Sequence, residues 1–237
     1  SDGDSDVIYF PVTVSYDPSS GVSDIADPGH TWFYKAVIDT SDLDNPEWCE
    51  FVDPYDYVEA RQEVYYASTT AWHTDGSLGV YWGTGSPYDR LNSDPGYVFG
   101  FIDESPTSCP TTATPICTGG YLEMDEGEGL TGNPIAYQGV VYFPTYTPNE
   151  DRCENGLGKI RGMSYNTCEG GIDTNGDGQA NAEYVETDGY PSSITITDQG
   201  EVIWGSSNFD DSNGISTMSV VADPFKGTQT LMIREVF

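Results

Sequence analysis

Oxygen-bearing residues fall at alternate positions along 171–184, GIDTNGDGQANAEY. With Asp173 as position 1, Asn175 stands at 3, Asp177 at 5, Gln179 at 7 and Asn181 at 9. A hard cation such as calcium takes six to eight oxygens, and alternate residues on a tight loop deliver carboxylates and amides to one centre. Gly178 occupies position 6, where such a loop bends sharply, and Gln179 would offer its backbone carbonyl. Helix-flanked loops place a bidentate Glu at position 12, but Tyr184 stands there and Glu183 comes one place early. The pattern therefore predicts a shorter calcium loop between β-strands, completed by waters or a further carboxylate. The alternative is a solvated turn, because Asn-Gly and Asp-Gly are common turn dipeptides.

The elements that must carry this loop are strands. Seventeen Tyr, 9 Phe and 5 Trp accompany 27 Gly and 15 Pro, a mixture of bulky strand formers and turn residues that predicts an all-β chain. Strands are expected at 7–12, 32–39, 97–104 and 159–166, while 59–68 fits either a strand or a short helix. A repeat runs through them. Val80-Tyr81-Trp82-Gly83-Thr84, Val141-Tyr142-Phe143-Pro144-Thr145 and Val202-Ile203-Trp204-Gly205-Ser206 are spaced by 61 residues, and Ile8-Tyr9-Phe10-Pro11-Val12 lies 72 residues before the first. Gly-containing turns at Asp75-Gly76, Gln138-Gly139 and Gln199-Gly200 precede the last three copies, so each is read as a hairpin. Units of three or four strands recurring at about 60 residues predict a β-propeller with long loops, or the C-terminal part of a larger one. The whole of 1–237 is read as one such domain, incomplete on its N-terminal side. A β-sandwich is the alternative. Asp2, Gly3 and Asp6 repeat positions 5, 6 and 9 of the later loop, so the chain either begins inside a repeat or has an acidic frayed end.

With 39 acidic against 8 basic residues the formal charge is −31, which would repel phosphate backbones and anionic headgroups. Nucleic acid and membrane surfaces are poor partners; divalent cations are good ones. No apolar run is long enough to span a bilayer, and SDGDSD lacks the features of a signal peptide, so the chain reads as a mature or trimmed product. Five cysteines at wide spacings, with only His30 and His73 to help, argue for disulfides in an oxidising compartment rather than zinc. Cys109 is expected to pair with Cys117 across a Pro/Thr-rich loop, and Cys153 with Cys168 across a strand connection. Cys49 is left over.

Several stretches together resemble one family, the C-terminal propeller of PilY/PilC-type proteins at the tips of type IV pili. They are LGVYWGTGSPY (78–88), LTGNPIAYQGVVYFPTYTP (130–148), CENGLGKIRGMSYNTC (153–168), the calcium loop and the terminal LMIREVF. The resemblance runs from about residue 68 to 237. Ser86 stands where the family often has a basic residue, and Ile233 where an aromatic is usual. The resemblance implies an extracellular, non-enzymatic pilus-tip protein that binds Ca2+, docks on minor pilins or the tip complex, and helps govern pilus biogenesis and adhesion. A separate N-terminal part of the same protein is a further expected partner. The family's calcium loop corresponds to Asp173, Asn175, Asp177, Gln179 and Asn181, with Asn181 where Asp is frequent.

Two other classes fit parts of the sequence. A self-associating extracellular filament subunit would also use an acidic surface and a spare Cys49. A calcium-dependent quinoprotein-like enzyme would share the propeller, but adjacent cysteines, frequent in that class, do not occur, and no G-x-S-x-G points to hydrolysis. Trp82 and Trp204 are read as core, Trp48 as a loop residue, His30 and His73 as ordinary polar residues, and 123–129, EMDEGEG, as a solvated or loosely cation-binding loop.

Overall fold

The computed structural model describes residues 5–13, 31–39, 42–58, 63–86, 94–151, 154–174, 179–187, 189–197, 200–207 and 215–219. The chain is all-β, built from four antiparallel sheets taken up in sequence order. The first holds β1 (Ser5–Thr13), β2 (Thr31–Asp39) and β3 (Glu47–Val52). A second is formed by β4 (Thr69–Trp72), β5 (Leu78–Gly83), β6 (Pro95–Asp103) and β7 (Ala113–Pro115), with β8 (Tyr121–Glu126) also on β6. In the third, β10 (Ile135–Tyr137), β11 (Val140–Thr147), β12 (Leu157–Ser164) and β13 (Tyr184–Thr187) lie in order, and β9 (Gly129–Leu130) joins β11. The fourth comprises β14 (Thr195–Ile196), β15 (Glu201–Gly205) and β16 (Ile215–Ser219). Among the described residues the first and fourth sheets make no pairing with each other.

The 61-residue repeat maps onto equivalent strands. β5, β11 and β15 carry the VYWGT-type motif and are each the second strand of their meander. Tight turns hold the preceding hairpins: Gly76 at φ +88° follows β4, and Gln138 and Gly139 at φ +46° and +83° join β10 to β11. Such left-handed pairs match the twist of a two-residue hairpin, and a Cβ at Gly139 would be strained there.

Side chains alternate along a strand, and the second and third sheets carry apolar residues on both faces, so the sheets pack face to face. Phe33, Phe51 and Val52 of the first sheet meet Val80, Trp82, Phe99 and Phe101 of the second, with Phe33 and Trp82 stacked at 4.1 Å between centroids. The other face of the second sheet, with Tyr81, Val98 and Met124, meets Val141, Phe143 and Met163 of the third. Tyr142, Ile160 and Ile172 then turn away from that contact and pack on Val202 and Trp204 of the fourth. Trp82 and Trp204 are core as expected. Trp48 lies on β3 rather than in a loop and is 60% exposed.

The cysteine pairing differs from the expectation. Cys49 bonds Cys109, tying β3 to the loop after β6, and Cys117 bonds Cys168, tying the second sheet to the third. Cys109 does not pair with Cys117, nor Cys168 with Cys153. The expected pairs were close in sequence, whereas face-to-face packing brings together residues separated by 60 and 51 positions. No cysteine of either bond is spare: Cys49, expected to be left over, is bonded. Cys153 lies outside the described residues.

Candidate functional site

The calcium-type loop hangs from the end of β12. Gly171 donates its N–H to the Gly162 carbonyl at 2.8 Å, and Gly162 donates to the Glu183 carbonyl at 2.9 Å, so both legs of the loop are laced to one strand. Ile172 and Ala182 exchange two backbone hydrogen bonds of 3.0 Å, closing the base, and the Ile172 side chain is buried in the core shared with the fourth sheet. Residues 173 and 181 thus leave and rejoin a hydrogen-bonded stem. Asp173, half-buried, leaves the stem directly after Ile172, and exposed Gln179 and Asn181 return to it. The Asn181 Oδ1 accepts from the N–H and the hydroxyl of Thr174, both at 2.9 Å, which draws the two legs together at positions 2 and 9. Asn175 and Asp177 lie outside the described residues, as does Gly178. Among the described residues no group of three or more His, Cys, Asp or Glu side chains is placed to hold a metal ion.

The donor chemistry fits a hard cation. Every side chain at positions 1, 3, 5 and 9 is a carboxylate or amide, and Asp173 with Asp177 would supply two charges against a divalent ion. On the N-terminal side, Asp6 lies within β1 and Asp2 and Gly3 lie outside the described residues.

The loop leads directly into a buried charge cluster. Its last residue, Tyr184, opens β13 and pairs with Arg161 across the sheet. The Tyr184 ring lies 4.5 Å from Lys159 Nζ and 5.2 Å from the Arg161 guanidinium, within cation–π range. Lys159 and Arg161 alternate with Ile160 on β12, so both point toward the second sheet. There Arg161 donates from Nε and Nη2 to the two oxygens of Glu128, each at 2.6 Å, in a forked pair. Lys159 reaches Glu128 at 3.4 Å and donates to Asp125, and the Thr145 hydroxyl donates to Glu128. The Glu128 side chain is wholly buried. Burial alone would raise its pKa, but Arg161, Thr145 and Lys159 outweigh it and hold the carboxyl below its usual range. Lys159 likewise holds Asp125 low, and the Glu128 carboxylate raises Arg161 against its own desolvation.

A second charge pair spans the first two sheets. Lys35 on β2 is fully buried and sits 2.7 Å from Asp103 of β6. Its other donors go to the carbonyls of Ser105 at 2.5 Å and Ser108 at 2.9 Å. Asp103 also accepts from the Tyr9 hydroxyl at 2.5 Å, the Ser105 N–H at 2.8 Å and the Thr111 hydroxyl. Burial pushes Asp103 up, and these donors, Lys35 first, bring it below the usual carboxylate value. Tyr9 is held protonated by burial and by the Asp103 charge. Each of the two contacts thus combines one buried charge cluster with one disulfide.

No family model, no curated protein and no solved structure matches this chain.

Neither charge cluster was anticipated from the sequence. EMDEGEG, read as a solvated or loosely cation-binding loop, instead supplies Asp125 to β8 and the buried Glu128 between sheets. The available signal was Lys-x-Arg inside an apolar strand in a chain with only eight bases: such a pair on one strand face must find buried carboxylates. His73 is half-buried, its Nε2 2.7 Å from the Tyr81 hydroxyl, and burial lowers its pKa. His30 lies outside the described residues.

Proposed function

We propose that the chain is part of the C-terminal β-propeller of a PilY/PilC-type pilus-tip protein: extracellular, calcium-binding, non-enzymatic, and a docking element for minor pilins in pilus biogenesis and adhesion. The observation that carries this reading is the repeat. One VYWGT-type motif recurs in the second strand of consecutive antiparallel meanders, which is how successive propeller blades would be encoded. Two disulfides fit an oxidising compartment, and among the described residues no helix is long and apolar enough to cross a membrane.

In this reading calcium is a structural ion. Asp173, Asn175, Asp177 and Asn181 would hold it with the Gln179 carbonyl, and the ion would neutralise the carboxylates of Asp173 and Asp177. Ordering the loop fixes the start of β13, which carries Tyr184 over Lys159 and Arg161. Calcium binding would therefore tighten the contact between the second and third sheets and add to stability by mass action. An affinity of about 10⁻⁴–10⁻³ M, as for extracellular calcium modules, would suffice outside the cell.

The test is localisation with capture. An epitope on the natural protein should be found at pilus tips by immunogold microscopy, and minor pilins should co-purify with it in calcium. A signal spread along the filament, with this chain as the repeating subunit, would favour the filament alternative and overturn the tip assignment.

A further inference from the structure

The direction of packing is the same at all three sheet contacts. In the second, third and fourth sheets the first and third motif residues face the sheet that comes earlier in the chain: Val80 and Trp82, Val141 and Phe143, Val202 and Trp204. The middle residue faces the sheet that comes later, as Tyr81 does toward the third sheet and Tyr142 toward the fourth. The first sheet obeys the same rule on one side. Tyr9, its middle residue, reaches forward to Asp103 of the second sheet.

Its first and third motif residues, Ile8 and Phe10, then face the other way. That face carries Ile8, 50% exposed, Val12, 41% exposed, and Trp48, 60% exposed. Phe10 stacks on Tyr34 at 6.1 Å and meets Trp48 edge-on at 5.5 Å, so the apolar side chains form one continuous patch. Among the described strands one edge of this sheet is unpaired as well. β5, β11 and β15 each have an earlier strand hydrogen-bonded along one side, β4, β10 and β14, whereas β1 has only β2 among the described strands.

We infer that this face and edge receive a further antiparallel sheet of the same repeat, lying N-terminal to this chain in the same polypeptide. It would pack its middle motif residue on Phe10 and supply the strand that completes the first sheet along β1. Order selects the source, because at every observed contact the occupant of this type of face precedes it in the chain. Charge selects it too: a second copy would bring another −31, and the far face of β15 offers Glu201 beside Ile203. The inference deepens the propeller reading, on which it rests, and is argued from the sheet register without the pilus assignment.

The experiment compares hydrogen exchange at residues 6–12 in this chain and in the natural gene product extended by at least one 61-residue repeat before Ser1. Exchange should slow about tenfold or more in the longer polypeptide. Phe10→Asp should lower the melting temperature of that polypeptide and leave this chain within about 2 °C. Three results overturn the inference: a gene product with no sheet-forming sequence before Ser1, equal exchange in both polypeptides, or protection in this chain alone that rises with concentration. The last would name a second copy as the occupant.

Discussion

Replacing Glu128 by Leu should be among the most damaging single changes in the chain. The substitution keeps the volume roughly constant and removes the carboxylate that answers two Arg161 donors at 2.6 Å and Lys159 at 3.4 Å. Arg161 and Lys159 are 7% and 2% exposed, so neither cation can turn to water without opening the contact between the second and third sheets. Asp125, 63% exposed, stays available to Lys159 but approaches Arg161 only at 3.6 Å. Stranding a buried charge in this way costs about 3–5 kcal/mol. In a domain of this size each kcal/mol shifts the melting temperature by about 2–4 °C, so a fall of roughly 6–20 °C is expected. Urea unfolding followed by tryptophan fluorescence gives the free energy directly. Glu128→Leu combined with Arg161→Leu should recover part of the loss, because the desolvation cost of both charges disappears together. A loss under about 1 kcal/mol, or no recovery in the double variant, would refute the claim that this cluster is a buried, mutually dependent pair.

Acid should weaken both inter-sheet clusters. Asp103 and Glu128 have folded pKa values below their ordinary 3.8 and 4.5, so their contribution is fully present above about pH 4.5 and is lost as pH falls through the lower folded values; urea midpoints at pH 7 and pH 3 would show it, and equal midpoints would contradict it. Cys49→Ser with Cys109→Ser, and separately Cys117→Ser with Cys168→Ser, should each cost about 4 kcal/mol on the chain-entropy estimate for loops of 60 and 51 residues, measured by calorimetry of the reduced and oxidised forms. Trp82→Ala should cost about 3–5 kcal/mol, since the ring is fully buried between Phe33 and Phe99, whereas Trp48→Ala on the open face should cost under about 1 kcal/mol in this chain.

The strands were legible because their signal is local. VIYFPV, WFYKAVID, YVFGFID and KIRGMS announce β1, β2, β6 and β12 by bulk and alternation, and the observed bounds differ by one or two residues. The 61-residue register correctly marked equivalent strands, since a repeated motif keeps its place in a repeated meander. What the sequence hid was everything decided between sheets. Cysteine partners came out wrong because Cys109 and Cys117, neighbours in sequence, both belong to the second sheet, while each bonds a cysteine of an adjoining sheet, Cys49 and Cys168. Glu128 looked like one acid among many in EMDEGEG; only the closeness of β8 and β9 to β12 sets it over Arg161. The residues at 59–68 gave no clear period, and 63–68 form no strand. As for the loop, its spacing was readable, and the stem that closes it, Ile172 against Ala182, was not.

Thermal unfolding in calcium, in magnesium and in chelator at fixed ionic strength tests the structural-ion account most directly. Asp173→Ala and Asp177→Ala are measured beside the unsubstituted chain, and Asp125→Ala serves as the control, expected to lower the baseline through Lys159 without touching the calcium increment. At 100 times the dissociation constant, calcium should add about 2.7 kcal/mol, an increment that magnesium does not reproduce and that both loop variants lose. An equal rise in magnesium, or a calcium increment that survives Asp173→Ala and Asp177→Ala, would reduce 173–181 to a solvated turn.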